Sequence, residues 1–349
     1  KQGETMKVIV VGCVVLGLGT IISAQPDTRE WTWNYVKRFN THERKKHASS
    51  PHLVFAKTDI KPFSQLIFSW NAVRPPQGYF SFLVQVRNNK TGAWGAWHKM
   101  FDWGASIQRS YYSASDGCAH YAHVRLEVDN TQLADAFRIK IEAHDGAHLS
   151  SVHRCTVNIS DLTQFSTEVN NLFSHLPSVY VAQVPRLSQM VLNHARASEL
   201  CSPTSSSMVT SYISDREIDP VEFAQRAFDS GLNTYGSWPF NMACAYEYGN
   251  DYAYFFTTRC CSFTALHRYL ERSIPVAVSV RGALEGAPKS YPKGHLLVVV
   301  GYDAQSNEVI CHDPACASND ATQIRYQLSH FLKAWERSRR LAYVAERIV

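Results

Sequence analysis

Several features are scarce in this sequence of 349 residues. It has no low-complexity block and no period of 20–50 residues, which excludes solenoids and propellers. It has one long apolar run, Val8 to Ile22. At about 15 residues that run falls short of the roughly 20 that a membrane span needs, and no later segment could span. Charge is not concentrated: 35 Lys and Arg stand against 30 Asp and Glu, a net +5. The single basic run, Arg44-Lys45-Lys46-His47, reads as a solvated loop, so no nucleic-acid partner is expected. Familiar zinc spacing is missing too. Cys311-His312 with Cys316 lacks a second ligand pair, so neither a metal nor another cofactor is expected.

What is present begins with an export signal. With Met6 read as the start, Lys7, the apolar run and the small residues Ser23-Ala24 form a secretory signal peptide over residues 1–24, cleaved after Ala24. A retained anchor is the alternative. The expected location is secreted or cell envelope, with no membrane span after signal removal. Of nine cysteines, Cys13 leaves with this segment. An exported chain permits disulfides, and Cys118 with Cys155 is the one pairing open to the first half.

Residues 25–54 read as an irregular lead-in. From 55 to 160 the apolar period is two. Phe80, Phe82, Val84 and Val86 share one face, and the runs 124–128 and 137–141 alternate in the same way. Turn signals at 75–78, 88–92 and 145–146 separate them, which predicts an antiparallel β-sandwich. Trp70, Trp94, Trp97 and Trp103 suit either its core or an exposed surface for a glycan, peptide or cell-surface ligand. Asn89-Lys-Thr and Asn158-Ile-Ser match the glycosylation pattern.

Residues 161–180 read as a linker, and 181–349 as an α+β domain. Asp219-Pro220 opens a helix that Gly231 closes, and Ser262 caps another. Strands are expected over 274–280, 296–302 and 309–312, and a last helix over 328–337. Trp238-Pro239-Phe240-Asn241 reads as a rigid turn near a cleft. Vicinal Cys260-Cys261 reads as a structural pair.

Three segments carry chemistry. Cys201-Ser202-Pro203 puts a thiol at a helix start, where free N–H groups and the helix dipole favour thiolate and can hold an oxyanion. Gly294-His295 opens a strongly apolar strand, a rigid mount for a general base. Asp313 closes the next strand, so an antiparallel hairpin would bring it beside His295 to fix the imidazole.

The stretches VPRLSQM (184–190), CSPTSSSMV (201–209), WPFN (238–241), GHLLVVVGYD (294–303) and HDPA (312–315) resemble the cysteine peptidase family of the bacteriocin-leader peptidases. They look closest to its exported, non-transporter branch. The resemblance covers about residues 180–345, roughly half the chain. It implies a papain-like fold with Cys201 as nucleophile, His295 as base and Asp313 as orienter. It also implies a glutamine upstream as oxyanion donor. Gln189 is the better match and Gln183 the poorer, although the spacing from Gln189 to Cys201 is longer than usual. Ser202 departs from the commoner Cys-Gly-Pro.

The expected fold is therefore an N-terminal all-β sandwich followed by a C-terminal α+β papain-like cysteine peptidase domain. The expected activity is cleavage of a peptide or isopeptide bond in a peptide or protein substrate through an acyl-thioester. A transpeptidase or side-chain deamidase would use the same thiol. A non-catalytic binding or adhesion module on a retained fold is the third reading.

Overall fold

The computed structural model describes residues 30–40, 43, 52–129, 132–168, 173 and 176–348. The expected signal segment and the basic run at 44–47 lie outside the described residues.

The first half is β-rich and fits a sandwich. One sheet runs in the order β1 (Thr32–Arg38), β11 (Val152–Ser160), β3 (Gln65–Ala72), β9 (Arg125–Val128), β8 (Ala119–Ala122) and β7 (Ser113–Ser115). The other runs β2 (His52–Lys57), β10 (Ala134–His144), β4 (Tyr79–Asn88), β5 (His98–Gly104) and β6 (Gln108–Ser110). The period-two residues do what their spacing demands. Phe80, Phe82, Val84 and Val86 turn inward to meet Phe68, Trp70, Val157 and Ile159 of the facing sheet. Trp70 stacks on Phe82 with ring centroids 4.0 Å apart. Burying each such side chain contributes about 1.5–3 kcal/mol.

Part of the stretch expected to be irregular is strand. β1 pairs along its whole length with β11, from Thr32 opposite Ser160 to Arg38 opposite Arg154. Its alternation is muted because Trp33 and Tyr35 are only partly buried, so no clean apolar face shows in the sequence. The expected linker likewise contains β12 (Val179–Tyr180), which pairs with β15.

The eight cysteines among the described residues are free thiols. Cys118 and Cys155 do not pair, for a topological reason. Cys155 lies in β11, whereas Cys118 precedes β8, three strands away in the same sheet. Three strand spacings of about 4.8 Å each exceed the Cα separation a disulfide tolerates.

The second half is built on a third antiparallel sheet. Its order is β13 (Ala253–Arg259), β18 (Leu341–Arg347), β14 (Val276–Gly282), β15 (Tyr291–Asp303), β16 (Glu308–His312) and β17 (Gln323–Gln327). Five α-helices accompany it among the described residues: α1 (Cys201–Ser214), α2 (Pro220–Ala227), α3 (Trp238–Gly249), α4 (Phe263–Glu271) and α5 (Leu328–Glu336). Asp219 caps α2 through Val221 N–H at 2.7 Å, and Ser262 caps α4 through Ala265 N–H at 3.1 Å. Trp238-Pro239-Phe240-Asn241 is not a turn but the first turn of α3, where proline needs no N–H donor.

The two halves share a buried seam. β3 is buried on both faces: Leu66, Phe68 and Trp70 face the sandwich interior, while Gln65, Ile67, Ser69 and Asn71 face the second half. Asn71 Nδ2 donates to Phe255 O at 2.7 Å, and Thr257 N–H donates to Ser69 Oγ at 3.0 Å. Arg259 donates from Nε and Nη2 to Gln65 Oε1 at 2.9 and 2.6 Å. Phe240 of α3 is a plug in the other direction, packing on Trp70 and Phe101. Gly231 permits the close approach, because a Cβ there would lie 1.9 Å from Ser110 O. Asn158 is in this seam too: its Nδ2 donates to Thr32 Oγ1 at 2.9 Å, which removes it as a modification site in the folded chain.

Candidate active site

The site forms where the N-terminus of α1 meets β15. The sequence of α1, CSPTSSSMVTSYIS, is polar for a helix that is almost wholly buried. Three of its hydroxyls are consumed locally, Ser207 Oγ donating to Thr204 O, Thr210 Oγ1 to Ser206 O and Ser214 Oγ to Thr210 O, while Thr204 Oγ1 and Ser206 Oγ are buried without a partner among the described residues. Ser205 Oγ donates to Leu296 O of β15 at 3.1 Å, tying helix to strand. Ser202, the residue that departs from the commoner glycine, is buried and shares a 3.1 Å hydrogen bond with the Tyr343 hydroxyl.

No side chain caps the N-terminus of α1. Its free N–H groups are left for the half-buried Cys201 sulfur, whose charged form is favoured by His295 and by the backbone N–H groups of Leu296 and Ser202. Burial alone would push this thiol up. The His295 contact and the N–H groups outweigh it and hold Cys201 below the ordinary thiol value.

His295 follows Gly294, whose φ of +96° is the left-handed region that glycine alone enters freely. Space beside Gly294 is ample, with the nearest atom to a Cβ 3.9 Å away. The backbone turn, not the volume, calls for glycine. His295 Nε2 meets Asp313 Oδ1 at 2.7 Å, which leaves Nδ1 as the ring nitrogen for Cys201. Burial would lower this imidazole, but Asp313 and the Cys201 sulfur raise it to about 9.

Asp313 is fully buried, yet its carboxyl lies below the usual carboxylate value. Burial acts to raise it, and the His295 charge first, then the hydrogen bonds of His295, Ala315 N–H and Tyr291, overcome that. Four donors meet the carboxylate. They are His295 Nε2, Ala315 N–H on Oδ1 at 2.9 Å, and the hydroxyls of Tyr291 and Tyr326 on Oδ2 at 2.7 and 2.9 Å. Tyr291 also stacks on the imidazole, with centroids 4.1 Å apart and planes at 14°. Neither tyrosine was singled out from the sequence. Tyr291 precedes His295 by four residues on one strand and so shares its face, a signal that was there to find. Tyr326 lies on β17 and only the fold brings it near.

Gln189 is buried in a single 3₁₀ turn, Gln189–Val191, beside this group. Its N–H donates to Pro314 O at 2.9 Å, next to Asp313. Its amide Nε2 donates one hydrogen to Ala197 O at 2.9 Å, so one of two donors is already committed. Gln183 has a φ of +66° and is exposed, between β12 and this turn in sequence. The Cys311-His312 pair is divided by the strand pleat, and His312 Nδ1 lies 3.0 Å from Pro185 O.

The four tryptophans separate into two kinds. Trp70 and Trp103 are core. Trp94 and Trp97 are half-buried, with the Arg138 guanidinium 3.8 Å from the first ring centroid and the Lys140 ammonium 4.8 Å from the second.

Residues 181–343 match the model of the Peptidase_C39 like family. The match supports a cysteine peptidase of the C39 type in the second half. No curated protein matches the chain. Among solved structures, a crystal structure of a non-crystalline cellulose specific carbohydrate-binding module is similar to 37% of this chain and covers 73% of its own. The identity is 15% and the TM-score 0.16. At that TM-score the likeness bears on neither fold nor ligand.

Proposed function

We propose that this chain is an exported thiol peptidase whose second half is a papain-like domain with Cys201, His295 and Asp313 as its triad. The observation that carries the reading is the 2.7 Å hydrogen bond between His295 Nε2 and the buried Asp313 carboxylate, with the same imidazole acting to lower the Cys201 thiol. With the thiol lowered and the imidazole raised to about 9, the pair favours thiolate with imidazolium. The Cys201 thiolate attacks the carbonyl carbon of a peptide or isopeptide bond. The Cys201 N–H and the second amide hydrogen of Gln189 receive the oxyanion. The C–N bond breaks as His295 gives its proton to the leaving amine. Water then attacks the thioester, His295 takes its proton, and the acid product leaves Cys201. Export is supported by the pattern of residues 1–24 alone.

Incubation with a mixture of denatured proteins, read by mass spectrometry, is expected to give cleavage that Cys201→Ala abolishes, a loss of at least about a thousandfold. Equal cleavage by the variant would end the reading. Added amine appearing in the products would move it to acyl transfer.

For the first half, the reading is a surface that engages a glycan near the substrate, through the exposed parts of Trp94 and Trp97 with Gln85, Arg138 and Lys140 around them. Retention on immobilised polysaccharide, lost when both tryptophans become alanine, is expected. Unretained passage of the unaltered chain would remove this role.

A further inference from the structure

We propose that Tyr291 and Tyr326 are positioning residues of this site: their two hydroxyls hold the Asp313 carboxylate ionised and oriented toward His295. The inference rests on the peptidase reading but is tested apart from it.

The geometry divides the carboxylate into two jobs. Oδ1 faces His295 Nε2 at 2.7 Å and Ala315 N–H at 2.9 Å. Oδ2 faces only the two phenols, at 2.7 and 2.9 Å. A fully buried carboxylate oxygen with no donor would be better off protonated. A protonated Asp313 could not hold the imidazolium. The two phenols come from different strands, β15 and β17, so the carboxylate is gripped from both sides of β16 and cannot rotate about its last bond without losing one of them. Tyr291 adds a second constraint, because its ring lies nearly flat against the imidazole and fixes the plane of that ring.

Other titratable groups face Asp313, and none of them changes charge in the range that matters. Cys311 of β16 is pushed well up by burial, and Cys316 in the following loop rises to about 12. Both tyrosines are pushed far up by burial and by Asp313 itself. All four are neutral from pH 4 to 9. His312, one residue before Asp313, is lowered below the ordinary imidazole value by burial and hydrogen-bonds Pro185 O, not the carboxylate. The acid limb of Cys201 reactivity then reports chiefly on Asp313, His295 and Cys201.

The test is the pH profile of Cys201 alkylation by iodoacetamide in the full chain, followed by peptide mapping. It needs no substrate. Tyr291→Phe and Tyr326→Phe keep both rings and remove the hydroxyls. The double variant is expected to shift the acid limb up by about one pH unit, so labelling on that limb slows about tenfold. Each single variant is expected to do less. Tyr302→Phe, which removes a hydroxyl bonded to Asn307 Oδ1 at 3.0 Å, serves as the matched control and leaves the limb in place. A low limb in the unaltered chain that the double variant does not move overturns the inference and leaves the peptidase reading intact. Labelling of the unaltered chain only in the ordinary thiol range overturns both.

Discussion

The seam between the halves and the end of α1 each bury a cation, and the two come to similar values from opposite directions. Arg259 in the seam is pulled down to about 9 by burial, with Arg125 and Arg339 nearby adding to the effect. His295 is raised to about 9 because Asp313 and Cys201 overcome its burial. What differs is the partner. Arg259 is met by neutral oxygens: Gln65 Oε1, Ser338 O at 2.7 Å and Arg339 O at 2.9 Å. The nearest acid, Glu127, reaches it only through Gln65, whose Nε2 donates to Glu127 Oε1 at 3.3 Å. A guanidinium so placed stays protonated at neutral pH and works as a clamp with five fixed donors. His295 has a carboxylate on one nitrogen and a thiol on the other, so its proton can move. The same burial makes a structural tie in one place and a transferable proton in the other.

The comparison breaks most visibly if the clamp is removed. Arg259→Met keeps the apolar stem and leaves three buried acceptors without donors. Each such acceptor costs about 1–3 kcal/mol, partly offset by the relief of burying no charge, so a loss of about 3 kcal/mol is expected in urea denaturation. The alkylation profile of Cys201 should stay in place, because no hydrogen bond links Arg259 to the triad. A shifted profile would mean that the seam tunes the cleft, and the two regions would no longer be separable.

How far these regions could be read from the sequence differs for a physical reason. The juxtaposition of Cys201, His295 and Asp313 was readable in outline, since Cys201 and Asp313 flank the ends of elements that local rules can find and His295 opens the apolar part of β15. A helix start, a glycine before an apolar strand and an Asp-Pro after one are all short-range signals. The caps Asp219 and Ser262 were readable for the same reason. The seam was not. Gln65, Ser69 and Asn71 alternate with Leu66, Phe68 and Trp70 and look like the wet face of a sheet. Only the second half, which lays β13 over them, makes that face interior. Phe240 was mistaken for part of a turn because its partners, Trp70 and Phe101, are more than a hundred residues earlier. Tyr326 escaped likewise, since nothing local marks a tyrosine whose hydroxyl ends on a carboxylate in another loop.

A smaller effect sharpens the comparison from the cleft side. Taken alone, His295 has a folded value above its unfolded one of 6.5, so its contribution to stability is full below pH 6.5 and is lost as pH rises toward 9. Taken alone, Cys201 has a folded value below its unfolded one of 9.0, so its contribution is present above that value and is lost as pH falls. The two slopes have opposite sign and overlap. In the window above 6.5 where the folded pair is thiolate with imidazolium, it carries one proton. The unfolded pair, thiol with neutral imidazole, also carries one. No proton is exchanged on unfolding, and the pair makes the stability of the unaltered chain flat across that window. Cys201→Ala removes one slope and exposes the other. Its stability is expected to fall by about 2 kcal/mol between pH 6.5 and 9, the part of the His295 shift that Asp313 sustains without the thiolate. Urea denaturation of both chains at several pH values reads the difference directly. Parallel curves would mean that the thiol keeps its proton in the folded state, and the proton of this site would then be as fixed as that of the clamp.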